Sequence, residues 1–216
     1  MKIELRPEGM EDHRETETVI REAFWNRYVP GCSEHYLMNV MRACPAFLPE
    51  LDYVAADGEK IVGGIAYVKS TIIGDDGRRH EVLCLGPISV LPEYQGRGIA
   101  GKMIERTAAI ARELGFCAIV LCGDPDCYSH CGFSPAENYA VRTADDLYAA
   151  ALQARELYPH ALSGKSGRFV ADQIYEVDEA AAAIYDQQFP RREKVRGTPS
   201  QKRFEALLTM CRPADR

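Results

Sequence analysis

A mixed α/β fold with a central mixed sheet is predicted by three observations. Residues 51–90 read as a meander of strands broken by turn sequences. Ile99, Met103, Ile104, Ala108, Ile110, Ala111 and Leu114 recur at helical spacing. Residues 116–121 are a short, wholly apolar run, as expected of a strand covered on both faces. Strand, helix and strand in that order make one parallel crossover appended to an antiparallel meander.

The remaining elements are taken in chain order. Residues 2–5 alternate like a short strand, and residues 11–28 carry an apolar stripe of Val19, Ile20, Ala23, Phe24 and Trp25. Ser33 is placed to cap a second helix that runs to Cys44, ahead of Pro45. Residues 51–56 and 61–73 are strands joined by Asp57-Gly58-Glu59-Lys60, and residues 80–90 come after the turn Asp75-Asp76-Gly77. Gly115 caps the crossover helix. Asp124-Pro125 starts a short helix that stops at Gly132, with a carboxylate N-cap and proline in the first turn. Residues 145–158 are expected to be helical, as are 178–189 and 201–210 on either side of Pro190 and a charged run. Arg191 to Lys194 reads as a solvated face.

Bulk properties narrow the function classes. A chain of 216 residues with 46% hydrophobic residues can bury a sizeable core. Its net charge of −6 argues against nucleic acid, which calls for clustered Lys and Arg. The N-terminus has no apolar signal core and no run approaches the length of a membrane span, so a cytoplasmic protein without a membrane partner is expected. The eight cysteines then read as thiols. Cys117, Cys122, Cys127 and Cys131 lack the paired spacing of a structural zinc site, and Cys117 and Cys122 stand about 16 Å apart at opposite ends of one strand. Small buried hydrophobes are the simpler reading, and no metal is expected.

Gly96-Arg97-Gly98-Ile99-Ala100-Gly101 spells G-x-G-x-x-G. A dinucleotide turn needs its first glycine directly at the strand end, and here residues 91–95 intervene after a meander. An anion site survives this objection. Residues 95–100 open a helix with small residues, and free N–H groups together with the helix dipole suit a diphosphate.

The neighbouring residues are more specific. "GPISVLPEYQGRGIAGKMI" resembles the acetyl-coenzyme A signature of the GNAT superfamily of N-acetyltransferases, with its Q/R-x-x-G-x-G/A element on Gln95, Gly98 and Ala100 after Val90 and Pro92. "CGDPDCYSHCGF" resembles that superfamily's second cofactor element, and "ADGEKIVGGIAYVKSTI" its two-strand hairpin. The similarity is closest to a bacterial branch of predicted acetyltransferases and covers about residues 1–140. It implies a mostly antiparallel central sheet with a splayed parallel strand pair, flanked by helices. Residues 1–145 would form the catalytic, acetyl-coenzyme A-binding domain, and residues 146–216 a C-terminal helical extension packed on it.

The resemblance also implies a site. Ile88, Ser89 and Val90 would offer main-chain hydrogen bonds to the pantetheine arm, and Gln95, Gly96, Arg97, Gly98, Ile99, Ala100 and Gly101 would surround the pyrophosphate. Tyr128 falls where the superfamily places a tyrosine that protonates the departing thiolate, and a phenol is well matched to a thiol leaving group. A backbone N–H near Ile88 is the candidate oxyanion donor. Glu81 is the one carboxylate in the strand before the loop and the first candidate for general base; Glu34, His35 and a water relay are alternatives. One departure stands out: Cys127 occupies the place of the branch's first tyrosine, and His130 that of its arginine.

The expected activity is transfer of an acetyl group from acetyl-coenzyme A to a primary amine, on a small molecule or a protein, by direct attack in a ternary complex. A non-catalytic acyl-coenzyme A sensor and a nicotinamide oxidoreductase are the competing readings. The aromatic residues Trp25, Tyr28 and Tyr36 read as core. The tail beyond residue 160 either covers the acceptor cleft or pairs two protomers as a homodimer.

Overall fold

The computed structural model describes residues 2–214. β1 (Ile3–Pro7) precedes α1 (His13–Phe24) and α2 (Glu34–Met41), and the meander comprises β2 (Tyr53–Asp57), β3 (Lys60–Gly74) and β4 (Arg79–Val90). α3 (Ile99–Glu113) is the crossover helix to β5 (Ala118–Cys122), and α4 (Pro125–Tyr128) is a single turn whose N-cap, Asp124, accepts from the N–H of Asp126. Short strands β6 (Ser134–Pro135), β7 (Val141–Arg142) and β8 (Leu147–Ala149) lead to β9 (Leu152–Glu156) and β10 (Gly167–Val170). α5 (Glu179–Asp186), α6 (Pro199–Thr209) and β11 (Cys211–Pro213) complete the chain.

One sheet of nine strands runs β1-β2-β3-β4-β5-β9-β6, with β10 on the far half of β3 and β7 beside β10. Its pairs are antiparallel except β4–β5 and β7–β10. The predicted mixed sheet with one parallel crossover is therefore present. β8 and β11 form a separate ribbon.

Residues 145–158, expected to be helical, instead form β8 and β9. Their Ala, Leu, Gln, Glu and Arg content favours helix locally. The free edge of β5 decides otherwise, because all five of its residues pair with β9, from Ala118↔Glu156 to Cys122↔Leu152. Strand placement here is set by that pairing and by facing neighbours rather than by intrinsic preference. The helices expected at 178–189 and 201–210 are α5 and α6.

Both faces of the sheet are covered, which explains the unbroken apolar run of β5. Leu83, Leu85, Ile119 and Leu121 meet Met103, Ile104, Ala108 and Ala111 of α3 in one core. Val82, Cys84, Ala118 and Val120 meet Ile20 of α1 and Leu37, Met38 and Met41 of α2 in the other. Alternation along each strand thus serves two cores at once. α1 approaches closely because position 64 is glycine: a Cβ there would lie 3.0 Å from the methyl of Thr16.

Two buried polar clusters lock the helices. Arg42 donates to Glu8 at 2.9 Å through Nε and Nη2 and to Glu17 at 2.6 Å, and both carboxylates are almost fully buried. The second cluster ties the C-terminal segment to the front of the fold. Arg21 donates to Asp186 at 2.6 Å, Tyr185 to Glu17 at 2.6 Å, and the Trp25 indole to the Glu193 carbonyl at 2.9 Å. His35 lies fully buried in this cluster, 3.2 Å from Asp186, and burial pushes its pKa down to about 4 despite that carboxylate.

Replacing Arg42 by Met strands two buried carboxylates. Urea unfolding of Arg42→Met is expected to show a loss of about 3–5 kcal/mol, and a loss below about 1 kcal/mol would mean that the cluster is solvated. His35 has its folded pKa below the ordinary value near 6.5. Its contribution is therefore complete above about pH 6.5 and is lost as pH falls towards about 4. His35→Phe is expected to lose less stability than the parent protein between pH 7 and pH 4.5, measured by urea midpoints.

Candidate functional site

β4 and β5 pair in parallel for only two residues, Leu83↔Ile119 and Cys84↔Val120. Beyond them β5 keeps its partner β9, whereas β4 runs through Gly86-Pro87 and away. Pro87 has no N–H to offer a ladder, and β3 answers with a register shift between Ile65 and Tyr67. The carbonyls freed by the divergence find a side chain from far along the sequence. The Tyr175 hydroxyl donates to the Gly86 carbonyl at 2.9 Å and lies 3.3 Å from that of Cys84.

Two cavities open on either side of this gap. The first, about 150 Å³, lies between the end of α1 and the end of β4. Its lining includes Ala23, Phe24, Arg27, Ile88, Ser89, Val90, Gln95, Ala100 and Cys127. The second, about 350 Å³, is walled by Leu37, Leu85, Pro87, Leu121, Phe169, Tyr175, Phe204 and the carboxylate residue Glu34. Phe24, Tyr28, Ile88 and Tyr128 belong to both.

Gln95 and Ala100, on either side of the loop's first two glycines, line the first cavity, whereas Gly96, Arg97 and Gly98 do not. Gln95 donates its side-chain amide to the Val90 carbonyl at 2.9 Å and so pins the loop to the strand. Gly96 and Gly98 take φ of +72° and +73°, a region open to glycine at no cost. Gly98 is the N-cap of α3, and no side chain caps that end. The N–H of Lys102 bonds the Gly98 carbonyl at 3.1 Å, so the preceding N–H groups of the first turn have no intrahelical acceptor. They and the dipole of a 15-residue helix make a positive backbone concavity beside Ala100. Ser89 adds a buried hydroxyl with no hydrogen-bond partner on the wall of the same cavity. A buried orphan hydroxyl and uncapped N–H groups suit a ligand that brings acceptors.

The structure does not bring every expected site residue together. Ile99 is buried among the apolar residues of the α3 face, and Gly101 sits beside Cys131. The Arg97 guanidinium donates to the Glu93 carbonyl at 2.8 Å and lies 5.3 Å from the Tyr94 ring centroid. Glu81 is at the opposite end of β4, exposed and 3.6 Å from Lys69. It lies seven positions from Ile88, about 23 Å along a strand, and lines neither cavity. His35 packs into the Asp186 cluster instead of facing either cavity. Of the alternative bases, Glu34 alone lines the second cavity.

Tyr128 stands where the two cavities meet, edge-on to Phe133 at 5.9 Å. Burial, then the neighbouring Tyr28 and Cys127, pushes its phenol above the ordinary range, so it keeps its proton at neutral pH. Cys127 beside it is exposed, and so is His130. Sequence reasoning missed Phe24 and Tyr28, whose helical spacing reads as core. They turn out to wall the site because α1 ends over the gap. Arg27 was missed too; nothing in its sequence context marks it.

A divergent parallel strand pair with an uncapped glycine loop at its mouth offers backbone donors to a ligand that brings anionic acceptors. The model of the acetyltransferase (GNAT) family matches residues 17–133, more than half of the sequence, and the chain is a member of that family. It is 30% identical over 118 residues to YhbS, an uncharacterized N-acetyltransferase of Escherichia coli strain K12, spanning 54% of this chain and 69% of YhbS. A second uncharacterized N-acetyltransferase of that strain, YjhQ, is 33% identical over 89 residues, or 40% of this chain and 48% of YjhQ. The crystal structure of Escherichia coli YhbS in complex with CoA shares the fold, with a TM-score of 0.72 and 24% identity over 82% of this chain and 93% of that one. A Brucella melitensis GNAT acetyltransferase in complex with acetyl-CoA matches with a TM-score of 0.64 and 27% identity over 81% and 98%. Among the described residues, no helix is long and apolar enough to cross a membrane.

Gly98→Ala meets open space, because no atom lies within 4 Å of an added Cβ, so only the positive φ is penalised. Thermal unfolding is expected to show a loss of about 1–2 kcal/mol. An unchanged midpoint would mean that the loop is free to adopt another conformation.

Proposed function

We propose that this protein transfers an acetyl group from acetyl-coenzyme A to a primary amine by direct attack in a ternary complex. The observation that carries the reading is the meeting of two cavities at Ile88 and Tyr128. One is bordered by uncapped backbone N–H groups and the other is apolar with a single carboxylate residue. Two substrates entering from opposite sides would touch only there.

In this reading residues 96–101 hold the pyrophosphate with backbone N–H groups, and the edge of β4 from Ile88 to Val90 pairs with the pantetheine arm. Acetyl-coenzyme A supplies an activated thioester. The chain supplies orientation, a dry pocket and protons. A backbone N–H near Ile88 stabilises the charge that develops on the carbonyl oxygen. Tyr128, which retains its proton at neutral pH, gives it to the departing sulfur. Gln95 acts by holding the loop against Val90.

The test has two stages. Calorimetric titration should show coenzyme A and acetyl-coenzyme A binding, with NADH silent. Gly98→Asp should abolish that binding by placing a carboxylate where the helix N-terminus receives phosphate. Binding of NADH alone would remove the acetyltransferase reading. Tyr128→Phe should then lower kcat about 100-fold while leaving coenzyme A affinity intact, the scale expected for loss of a general acid. An unchanged kcat would assign the proton to another donor, and binding with no turnover of any amine would favour an acyl-coenzyme A sensor.

A further inference from the structure

The second cavity has the chemistry of a selective acceptor site, provided that the acetyl-transfer reading of the protein holds. Its walls are aromatic and aliphatic: Phe24, Tyr28, Phe204 and Phe169, with Leu37 and Leu85. The Tyr28 and Phe204 rings lie 4.7 Å apart, so α6 from the C-terminal segment roofs the space. Arg203 fixes that roof by donating to Asp124 at 2.8 and 3.0 Å. Tyr175 presents its ring, because its hydroxyl is taken up by the carbonyls of β4.

Glu34 is the one charged residue that lines this cavity. It stands in the first turn of α2, and its Oε2 accepts the N–H of Ser33 at 3.1 Å. Among the described residues it has no salt bridge, and the charged neighbour it does feel, Glu179, is another carboxylate. Burial holds its pKa above the ordinary carboxylate range. Glu34 is half-buried, and a partly desolvated carboxylate with no cation beside it is favoured by an arriving ammonium.

We propose that the acceptor is a monoamine with an apolar, preferably aromatic, body and that Glu34 receives its ammonium group and one of its protons. The cavity, about 350 Å³, has the size of a site for a small organic molecule. A diamine would bring a second ammonium with no second carboxylate in the lining to pair it, and an amino acid would bring a carboxylate towards Glu34 with no cation to meet it. The protons balance. Of the three on the ammonium, one passes to Glu34 and later to solvent, and one stays on the amide nitrogen. The third restores Tyr128 after it has protonated the thiolate; the C–S bond breaks as the C–N bond forms.

The experiment compares 2-phenylethylamine and hexylamine with putrescine, glycine and a lysine-containing peptide at saturating acetyl-coenzyme A, with the amide product measured by mass spectrometry. Coenzyme A affinity is measured in parallel by calorimetry. The two apolar monoamines are expected to exceed the others at least about tenfold in kcat/KM. Glu34→Gln should raise the KM for 2-phenylethylamine about tenfold or more, as loss of a charged hydrogen bond does, with coenzyme A affinity unchanged. Phe204→Ser, at a half-exposed position, should narrow the preference for 2-phenylethylamine over putrescine. Faster turnover of putrescine, glycine or the peptide would overturn the proposal and leave the acetyltransferase reading standing. So would an unaffected KM and kcat in Glu34→Gln, or coenzyme A binding without acetylation of either apolar amine. Failure of the parent protein to bind coenzyme A would remove both.

Discussion

The parting of β4 from β5 is the constraint on which the rest of this molecule depends. Two strands that begin as a parallel ladder and then separate leave backbone polar groups facing each other across a gap. Such groups must be satisfied, by side chains or by a ligand. Here Tyr175 takes the carbonyls of Gly86 and Cys84 at the inner end. Farther along, Ser89 and the edge of β4 remain available. Pro87 ensures that the ladder cannot close again, and β9 holds β5 in place so that only β4 moves away. The cleft is built into the sheet and needs no moving lid.

Such a gap inside a sheet would be unstable without support on both faces. α3 covers one face and α1 with α2 the other, and strands β4 and β5 supply alternate residues to each. The C-terminal segment completes the arrangement from outside the family-matched residues 17–133. Tyr175 reaches the gap itself, Asp186 binds Arg21, and Phe204 roofs the second cavity against Tyr28. Part of the second cavity's wall is therefore supplied by a stretch of chain that contributes nothing to the glycine loop.

Much of the glycine-loop side was legible in the sequence because it is made of backbone. Gln95 to Gly101 opens a helix wherever those residues stand, and the need for positive φ at Gly96 and Gly98 is local. The second cavity was poorly legible because its side chains are gathered from the end of α1, α2, β4, the end of β5, residues 169–175 and α6. Glu81 drew attention as a carboxylate in the correct strand, yet strand length alone carries it away from the cavities. Glu34, with no motif around it, ends up inside one. Phe24 and Tyr28 show the same limit: a helical stripe predicts burial, but a buried face and a cavity wall have the same periodicity.

The amino-acid order by itself determined the elements whose signals are short-range: the meander, the crossover helix, the apolar β5 and the capped turn at Asp124. These arise from periodicity, turn chemistry and capping, which act over a few residues. Tertiary structure alone decided that residues 152–156 are strand, against their helical composition, because the open edge of β5 contributes hydrogen bonds that local preference cannot. It also decided which carboxylate lines the second cavity. That depends on where α2 lies against the separated strands, and no sequence-local interaction fixes the placement of one helix over a gap.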